Sequence, residues 1–296
     1  MYLYLPIAEL SVNALLMLAL SAGVGFLSGL VGVGGGFVMT PLLILAGIPP
    51  PIAVATELSQ VTASSAAGML SYWRRKLIDV RMGALLVAGG VIGSWVGVQV
   101  FAYLSTIGQL DVLITLAYVF LLSTIGALMF AESIAAMRRR GVTGGTRVSA
   151  AARAAQAPAS FRSLAPPLAV GAGVGLVSAG LGVGGGFILV PAMLYLLRMT
   201  TNIVIGTSFL YILVVSALST FLHATENRTV DLMLAGLLVL GGVIGAQFGV
   251  RAGAKLPAEY LRLILAGLVL VSGLALLWDL VASPRELFML SLGKPT

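Results

Sequence analysis

The chain consists of long runs of apolar residues separated by short polar breaks. Ten such runs can be marked, at residues 7–30, 37–48, 52–73, 80–104, 110–131, 167–181, 187–197, 203–224, 232–254 and 260–281. Within a run the apolar residues are continuous and do not alternate with a period of two. This favours helices over the strands of a membrane barrel and predicts negligible sheet. The pattern predicts an all-α polytopic membrane protein.

Composition supports this prediction. Hydrophobic residues make up 59% of the chain and charged residues only 9%, whereas a soluble domain has about 25% charged residues. The chain has no cysteine and one histidine, which excludes disulfides and thiolate sites and disfavours a zinc site built on histidines. The net charge of +7 is better explained by membrane orientation than by binding to nucleic acid.

The chain contains an internal duplication. The motif GVGGGF occurs at residues 32–37 and again at 182–187, and GGVIG occurs at 89–93 and 241–245. Asp79 matches Asp231, and both aspartates are expected at helix starts. These matches predict a first membrane repeat at residues 1–131, a cytoplasmic linker at 132–166, a second repeat at 167–283 and a C-terminal tail at 284–296.

Each repeat has five apolar runs, an odd number, so the second repeat should be inverted in the membrane relative to the first. With both termini outside, fourteen basic residues lie inside and three outside, as the positive-inside rule requires. The inside set is Arg74, Arg75, Lys76, Arg81, Arg138, Arg139, Arg140, Arg147, Arg153, Arg162, Arg198, Arg251, Lys255 and Arg262. The outside set is Arg228, Arg285 and Lys294.

The runs that follow the two glycine motifs are short. At about 1.5 Å per residue they reach about 18 Å, against a hydrocarbon core of about 30 Å. Each motif is therefore expected partway through the bilayer, at a broken crossing or at the tip of a re-entrant helical hairpin. The two tips should approach each other near the midplane.

Glycine turns before helices predict a site for an anion. Glycine lets backbone amides converge because it has no Cβ, and a helix amino terminus adds free donors and partial positive charge. The expected substrate-binding residues are Gly34, Gly35, Gly36, Phe37, Thr56, Glu57, Ser59, Gln60, Gly184, Gly185, Gly186, Phe187, Thr207 and Ser208. Further polar residues on the same two segments are Ser64, Ser65 and Ser216.

Two features have competing interpretations. Gly93-x-x-x-Gly97 and Gly245-x-x-x-Gly249 are predicted to be helix contacts without a direct functional role. Glu57 either caps its helix or snorkels near the outer face, or it serves as a proton-coupling carboxylate or an electrostatic gate for anions.

The chain resembles the TauE/SafE family of membrane transporters at three motifs. These are GVGGGFxxxP (32–41 and 182–191), the AxxT turn at 53–56, and GGVIGxxxG (89–97 and 241–249). The likeness covers residues 23–281. It implies a bacterial inner-membrane protein that exports sulfite or small organosulfonates such as sulfoacetate. The chain departs from the family at Glu57, where a small polar residue such as Ser208 is more usual.

These observations predict a secondary transporter that exports a small sulfur oxyanion by alternating access, without a cofactor. A gradient should supply the energy because no nucleotide-binding motif is present. The alternatives are a passive anion channel and a transporter of another small organic anion. An intramembrane enzyme is disfavoured because no nucleophile–base pair or metal cluster can be assembled. The expected partners are the anion and the lipid bilayer, and the glycine-rich faces would suit a homodimer.

Overall fold

The structure is a computed structural model that describes residues 2–31, 34–108, 110–140, 164–197, 199, 201–253, 267, 269–278 and 281. It begins with an antiparallel hairpin, β1 (Tyr2–Leu5) and β2 (Leu10–Asn13). The first half continues with α1 (Ala14–Val31), α2 (Gly36–Leu45), α3 (Pro50–Arg74), α4 (Val80–Thr106) and α5 (Leu110–Arg140). The second half contains α6 (Ala165–Leu181), α7 (Gly186–Tyr195), α8 (Thr201–Leu222), α9 (Leu232–Gly253) and α10 (Val269–Trp278). A π-helical turn, His223–Asn227, extends α8.

The described chain is helical apart from the terminal hairpin, as the apolar runs predicted. Three of its helical stretches are long and apolar enough to cross a membrane, at Val80–Thr106, Ile203–Asn227 and Leu232–Ala252. The described chain also has shorter apolar helices. The half-helices are confirmed as well, since α2 and α7 have ten residues each and therefore reach only about 15 Å.

The two halves exchange equivalent helix contacts. Helix α1 packs along α9, and α6 packs along α4, so the first helix of each half lies against the fourth helix of the other. Helices α3 and α8 pack on each other, and α3 packs also on α9 while α8 packs also on α4. The halves are therefore interlocked by matching pairs of helices.

Glycine makes the two long interfaces possible. Along α4, a Cβ at Gly93 would lie 1.9 Å from the Ala172 carbonyl oxygen, and along α9 a Cβ at Gly245 would lie 2.0 Å from the Ala22 carbonyl oxygen. The same backbone contact recurs at Gly89, Gly97, Gly241 and Gly249. The GGVIGxxxG faces are helix contacts, as predicted. They are used within the chain, and a homodimer would need another surface.

Two cross-half hydrogen bonds hold the starts of α4 and α9. The Asp79 amide donates to Thr207 Oγ1 at 3.1 Å, and the Asp231 amide donates to Thr56 Oγ1 at 3.1 Å. The side chain of Asp79 accepts from the Met82 amide at 3.0 Å and so caps α4. Asp231 caps α9 in the same way. The prediction that both aspartates start helices is confirmed.

The amino terminus departs from prediction, because the apolar run at 7–30 does not form one helix. Strands β1 and β2 pair in the register Tyr2↔Asn13, and α1 begins only at Ala14, where Asn13 Oδ1 accepts from the Leu15 amide at 3.1 Å. An asparagine side chain that bonds the next turn starts a helix and stops the strand before it. The hairpin is tied to the second half, since the Ile7 amide donates to Asp231 Oδ2 at 2.9 Å.

Helix α5 continues to Arg140 and so includes the start of the stretch predicted to be the cytoplasmic linker. A helix that is already nucleated extends readily through Ala, Glu, Met and Arg, which have high helix propensity. The remainder of the linker (141–163), most of the run at 260–281 and the tail from 282 lie outside the described residues.

The backbone contact between α1 and α9 can be tested with two alanine substitutions on one helix. Gly245→Ala places a methyl group against the Ala22 carbonyl and should destabilise the protein by about 2 kcal/mol or more. Gly236→Ala is the matched control, because a Cβ there meets nothing within 4 Å. Thermal unfolding in detergent should show a lower midpoint for Gly245→Ala only. Equal midpoints would contradict the interface.

Candidate anion-binding site

The two glycine motifs form turns that place a helix start in the protein interior. Gly34 has φ 79°, and Gly184 and Gly185 both have φ 75°, a left-handed region that only glycine enters readily. Gly35 is the residue before α2 and Gly185 the residue before α7. The repeated glycines are therefore required by the backbone of the turns.

The turns have equivalent surroundings in the two halves. A Cβ on Gly35 would lie 2.7 Å from Val24 Cγ1 of α1, and a Cβ on Gly185 would lie 2.9 Å from Val174 Cγ1 of α6. Val24 and Val174 occupy the same position in their repeats. Each turn is thus packed against the helix that precedes it.

The two turns meet each other, as the sequence predicted. The rings of Phe37 and Phe187 stack with centroids 4.6 Å apart and an interplanar angle of 10°. A Cβ on Gly36 would lie 2.4 Å from the Gly182 carbonyl oxygen, so the backbones touch directly. Residues 34–37 and 182–187 are all buried. We call this meeting region the turn site.

Val61 of α3 lies against both turns. A Cβ on Gly34 would lie 3.7 Å from Val61 Cγ1, and one on Gly184 would lie 2.4 Å from the same atom. The Ile212 side chain of α8, at the matching position, also lies within 4 Å of the Gly34 position. Helices α3 and α8 therefore form the wall of the turn site opposite α1 and α6.

The starts of α2 and α7 provide backbone donors at the turn site. Neither helix start has a side-chain cap. The first amides of a helix have no partner within the helix, and the helix dipole adds partial positive charge there. Because Phe37 and Phe187, the second residues of the two helices, stack on each other, both helix starts lie at the same contact. Two helix starts together can bind an anion.

Buried hydroxyls without partners lie beside these helix starts. Ser178 of α6 is fully buried, its Oγ has no hydrogen-bond partner in the described part of the chain, and its Cβ lies 3.5 Å from the Cβ position of Gly185. Ser65 and Ser216 are also fully buried with unpartnered Oγ atoms. They lie four residues beyond Val61 and Ile212, on the same helix faces. A buried hydroxyl without a hydrogen-bond partner costs about 1–3 kcal/mol of folding free energy. A bound oxyanion that accepts from the hydroxyl would offset this cost.

Sequence reasoning missed Ser178 and its counterpart Ser28, whose Cβ lies 3.6 Å from the Cβ position of Gly35. Both serines precede the triple glycine by six residues in their repeats. This match was available in the sequence. It carried no weight because serine is common in membrane helices as a small packing residue.

Other predicted site residues have partners within the protein. Thr56 and Thr207 accept the cross-half bonds from the two aspartate amides, although a hydroxyl that accepts one bond can still donate its proton. Ser208 Oγ donates to the Ile205 carbonyl at 2.8 Å. Ser59 is partly exposed and, two residues from Val61, lies off the helix face that contacts the turns.

Gln60 and Tyr211 occupy matching positions and make matching bonds. Gln60 Nε2 donates to the Ser21 carbonyl at 3.4 Å, and the Tyr211 hydroxyl donates to the Gly171 carbonyl at 2.8 Å. Ser21 and Gly171 also match between the repeats. Gln60 Oε1 has no partner among the described residues. The side-chain nitrogen of Gln60 therefore joins α3 to α1, and the side-chain oxygen has no partner there.

Glu57 is fully buried, and neither of its carboxylate oxygens has a hydrogen-bond partner in the described part of the chain. It therefore neither caps α3 nor snorkels to the outer face. The Tyr118 hydroxyl of α5 lies near Glu57 and donates to the Leu181 carbonyl, directly before the second glycine motif. The functional interpretation of Glu57 stays a prediction.

A family model described as "Sulfite exporter TauE/SafE" matches residues 17–276 of the chain. The chain is 28% identical to the probable membrane transporter protein YjnA of Bacillus subtilis over 259 residues, which are 86% of this chain and 96% of that protein. It is 27% identical to a probable membrane transporter protein of Xylella fastidiosa over 281 residues, 93% of this chain and 99% of that protein.

A shorter match links the chain to Sulfite exporter TauE/SafE family protein 3 of Arabidopsis thaliana, with 36% identity over 91 residues, 30% of this chain and 19% of that protein. No solved structure matches the chain.

The cross-half bond from Asp231 to Thr56 can be tested by removing the hydroxyl. Thr56→Val leaves the buried Asp231 amide without its partner and should destabilise the protein by about 1–3 kcal/mol. Thr220→Val is the control, because Thr220 Oγ1 bonds only the Ser216 carbonyl of its own helix, at 2.8 Å. Thermal unfolding that affects both variants equally would show that the cross-half bond contributes nothing.

Proposed function

The chain belongs to the TauE/SafE sulfite exporter family, and on that premise we propose that it is a secondary transporter that exports a small sulfur oxyanion. The substrate is sulfite or an organosulfonate such as sulfoacetate, and the membrane is the bacterial inner membrane. The observation that carries this proposal is the turn site, where two uncapped helix starts meet beside buried hydroxyls without partners.

The turn site suits an oxyanion that must be released again. Residues 34–37 and 182–187 include no lysine or arginine, so binding relies on backbone dipoles and hydroxyls. A permanent cation at this depth would cost several kcal/mol to bury and would hold an anion strongly. A sulfonate or sulfite has three oxygens in a pyramidal arrangement, which can accept from two helix starts and from hydroxyls at once.

The proposed arrangement in the membrane is an inverted repeat of five segments per half, with both termini outside and the linker in the cytoplasm. Its support is the reciprocal packing of α1 on α9 and α6 on α4, together with the excess of basic residues on one side. In this arrangement α2 and α7 enter from opposite sides and reach the turn site at the middle of the bilayer.

Transport then proceeds by alternating access. The interlocked pairs α1–α9 and α4–α6 form a scaffold, because their backbones are in contact and cannot slide freely. The short helices α2 and α7 meet the scaffold through their turns and form the moving part. Opening one turn exposes the anion to one side of the membrane while the other turn stays closed. The names of the relatives as membrane transporters agree with this role and not with catalysis.

The turn site can be tested by deleting its unpartnered hydroxyls. Ser178→Ala and Ser216→Ala should leave the thermal midpoint unchanged or slightly higher, since neither hydroxyl bonds the described protein. Each should weaken sulfite or sulfonate binding by about tenfold, because a hydrogen bond to a charged group is lost. The measurement is a thermal-shift titration with sulfite, thiosulfate, sulfate, sulfoacetate and simple carboxylates.

Ser94→Ala serves as the control, because Ser94 is buried on α4 and its Oγ bonds the Val91 carbonyl at 3.1 Å. Unchanged affinity in both turn-site variants would overturn the site. A response to carboxylates alone would favour another organic anion as substrate. In liposomes, a carrier exchanges labelled for unlabelled anion faster than it shows net flux. Flux that follows the gradient without this acceleration would indicate a passive anion channel.

A further inference from the structure

Glu57 lies on the face of α3 that the second glycine turn covers. A Cβ on Gly182 would lie 2.6 Å from the Val54 carbonyl oxygen, and one on Gly184 would lie 2.4 Å from Val61 Cγ1. Val54, Glu57 and Val61 are spaced three and four residues apart, so they share one helix face. The carboxyl group of Glu57 therefore lies beneath the turn at 182–184, next to the turn site.

The neighbours of Glu57 provide hydroxyls and no positive charge. Helices α1, α2, α5, α8 and α9 pack on α3. Neither α1 nor α2 contains a titratable side chain. Helix α5 contributes Tyr118 near Glu57, and its Asp111 is exposed at its first turn. Helix α8 contributes Tyr211, which bonds the Gly171 carbonyl.

Helix α9 contributes Asp231, whose carboxylate accepts from the Ile7, Met233 and Leu234 amides. Its one arginine, Arg251, lies in its last turn, at the opposite end. Glu57 thus has no described cation to pair with and no hydrogen-bond donor on its oxygens. A buried carboxylate in such surroundings is very costly when ionised.

We propose that Glu57 is protonated in this closed conformation and carries the coupling proton of the transporter, bound at the same time as the anion. This inference rests on the proposed function of the turn site. An ionised Glu57 would repel an anion in the neighbouring turn site, and a protonated Glu57 does not. By linkage, anion binding favours protonation and protonation favours anion binding to the same extent.

The proton leaves when the second turn moves away from α3, and it is bound again with the next anion when the site is open to the other side. Water then reaches the carboxyl group, its O–H bond breaks, the proton passes to water, and the carboxylate remains to disfavour a second anion. Because the same movement opens the turn site, proton and anion travel in the same direction, and the outward gradient of the anion drives both. The matching residue in the second half is Ser208, which does not ionise, so one proton accompanies each cycle.

The test is anion binding as a function of pH, with methanesulfonate as the probe because its charge stays constant. In the purified protein, binding should weaken by about tenfold between about pH 5 and about pH 8. Glu57→Gln should bind at the higher pH as tightly as the unaltered protein does at the lower, without pH dependence. Asp111→Asn makes the same chemical change at an exposed position and should keep the pH dependence.

A Glu57→Gln protein that retains the pH dependence, or an unaltered protein without it, overturns the proposal. A second readout needs no anion. The infrared C=O band of a protonated buried carboxyl should be present in the ligand-free protein and missing from Glu57→Gln, and its absence from the former also overturns the proposal. If the band is present but no sulfonate binds at any pH, the coupling site stands and the proposed substrate class fails.

Discussion

Contact between backbones, without side chains between them, is the constraint on which this fold depends. In lipid there is little hydrophobic force between helices, so close packing and backbone contact must hold them together. Glycines on α4 and α9 contact backbone carbonyls of α6 and α1, at three successive helical turns in each pair. The same device recurs at the centre, where Gly36 meets the Gly182 carbonyl. One type of contact therefore fixes the scaffold and brings the two broken helices together.

The contact between the two glycine turns has a chemical consequence that the contacts of α4 with α6 and of α9 with α1 lack. The contact glycines of α4 and α9 lie inside their helices, where amides bond to the preceding turn, so glycine contributes only closeness. At the turns, closeness comes with uncapped helix starts, and the nearby hydroxyls of Ser178, Ser65 and Ser216 are unpartnered. Unsatisfied donors are rare in folded proteins because they are costly. Their presence beside the stacked rings of Phe37 and Phe187 supports the proposed binding site.

The sequence predicted features that follow from neighbouring residues and did not predict contacts between distant segments. The half-helices followed from length, and the glycine faces followed from small residues one turn apart, so both were predicted. Thr56 and Thr207 were identified through the repeat, but their partners Asp231 and Asp79 lie in the opposite half and no local pattern names them. The hairpin was missed because β2 was included in the apolar run that continues as α1, although Glu9, Ser11 and Asn13 interrupt that run. The contact of Tyr118 with the Leu181 carbonyl joins α5 to a distant turn, and a single tyrosine in an apolar run gives no sign of it.

The departures from symmetry matter more for function than the symmetry itself. Two identical halves would present the anion with the same environment from both sides of the membrane. Here Glu57 aligns with Ser208, and Gln60 aligns with Tyr211. Gln60 lies against α1 and α9, and Glu57 lies on the face of α3 beneath the second glycine turn. Tyr118 adds a hydroxyl to the same place. In the proposed mechanism, a carboxyl group that ionises when the second turn opens makes the free energy of opening that turn depend on pH, whereas the first turn has no such group. In that mechanism the duplicated glycines provide a place for the anion, and the single glutamate couples its movement to a proton.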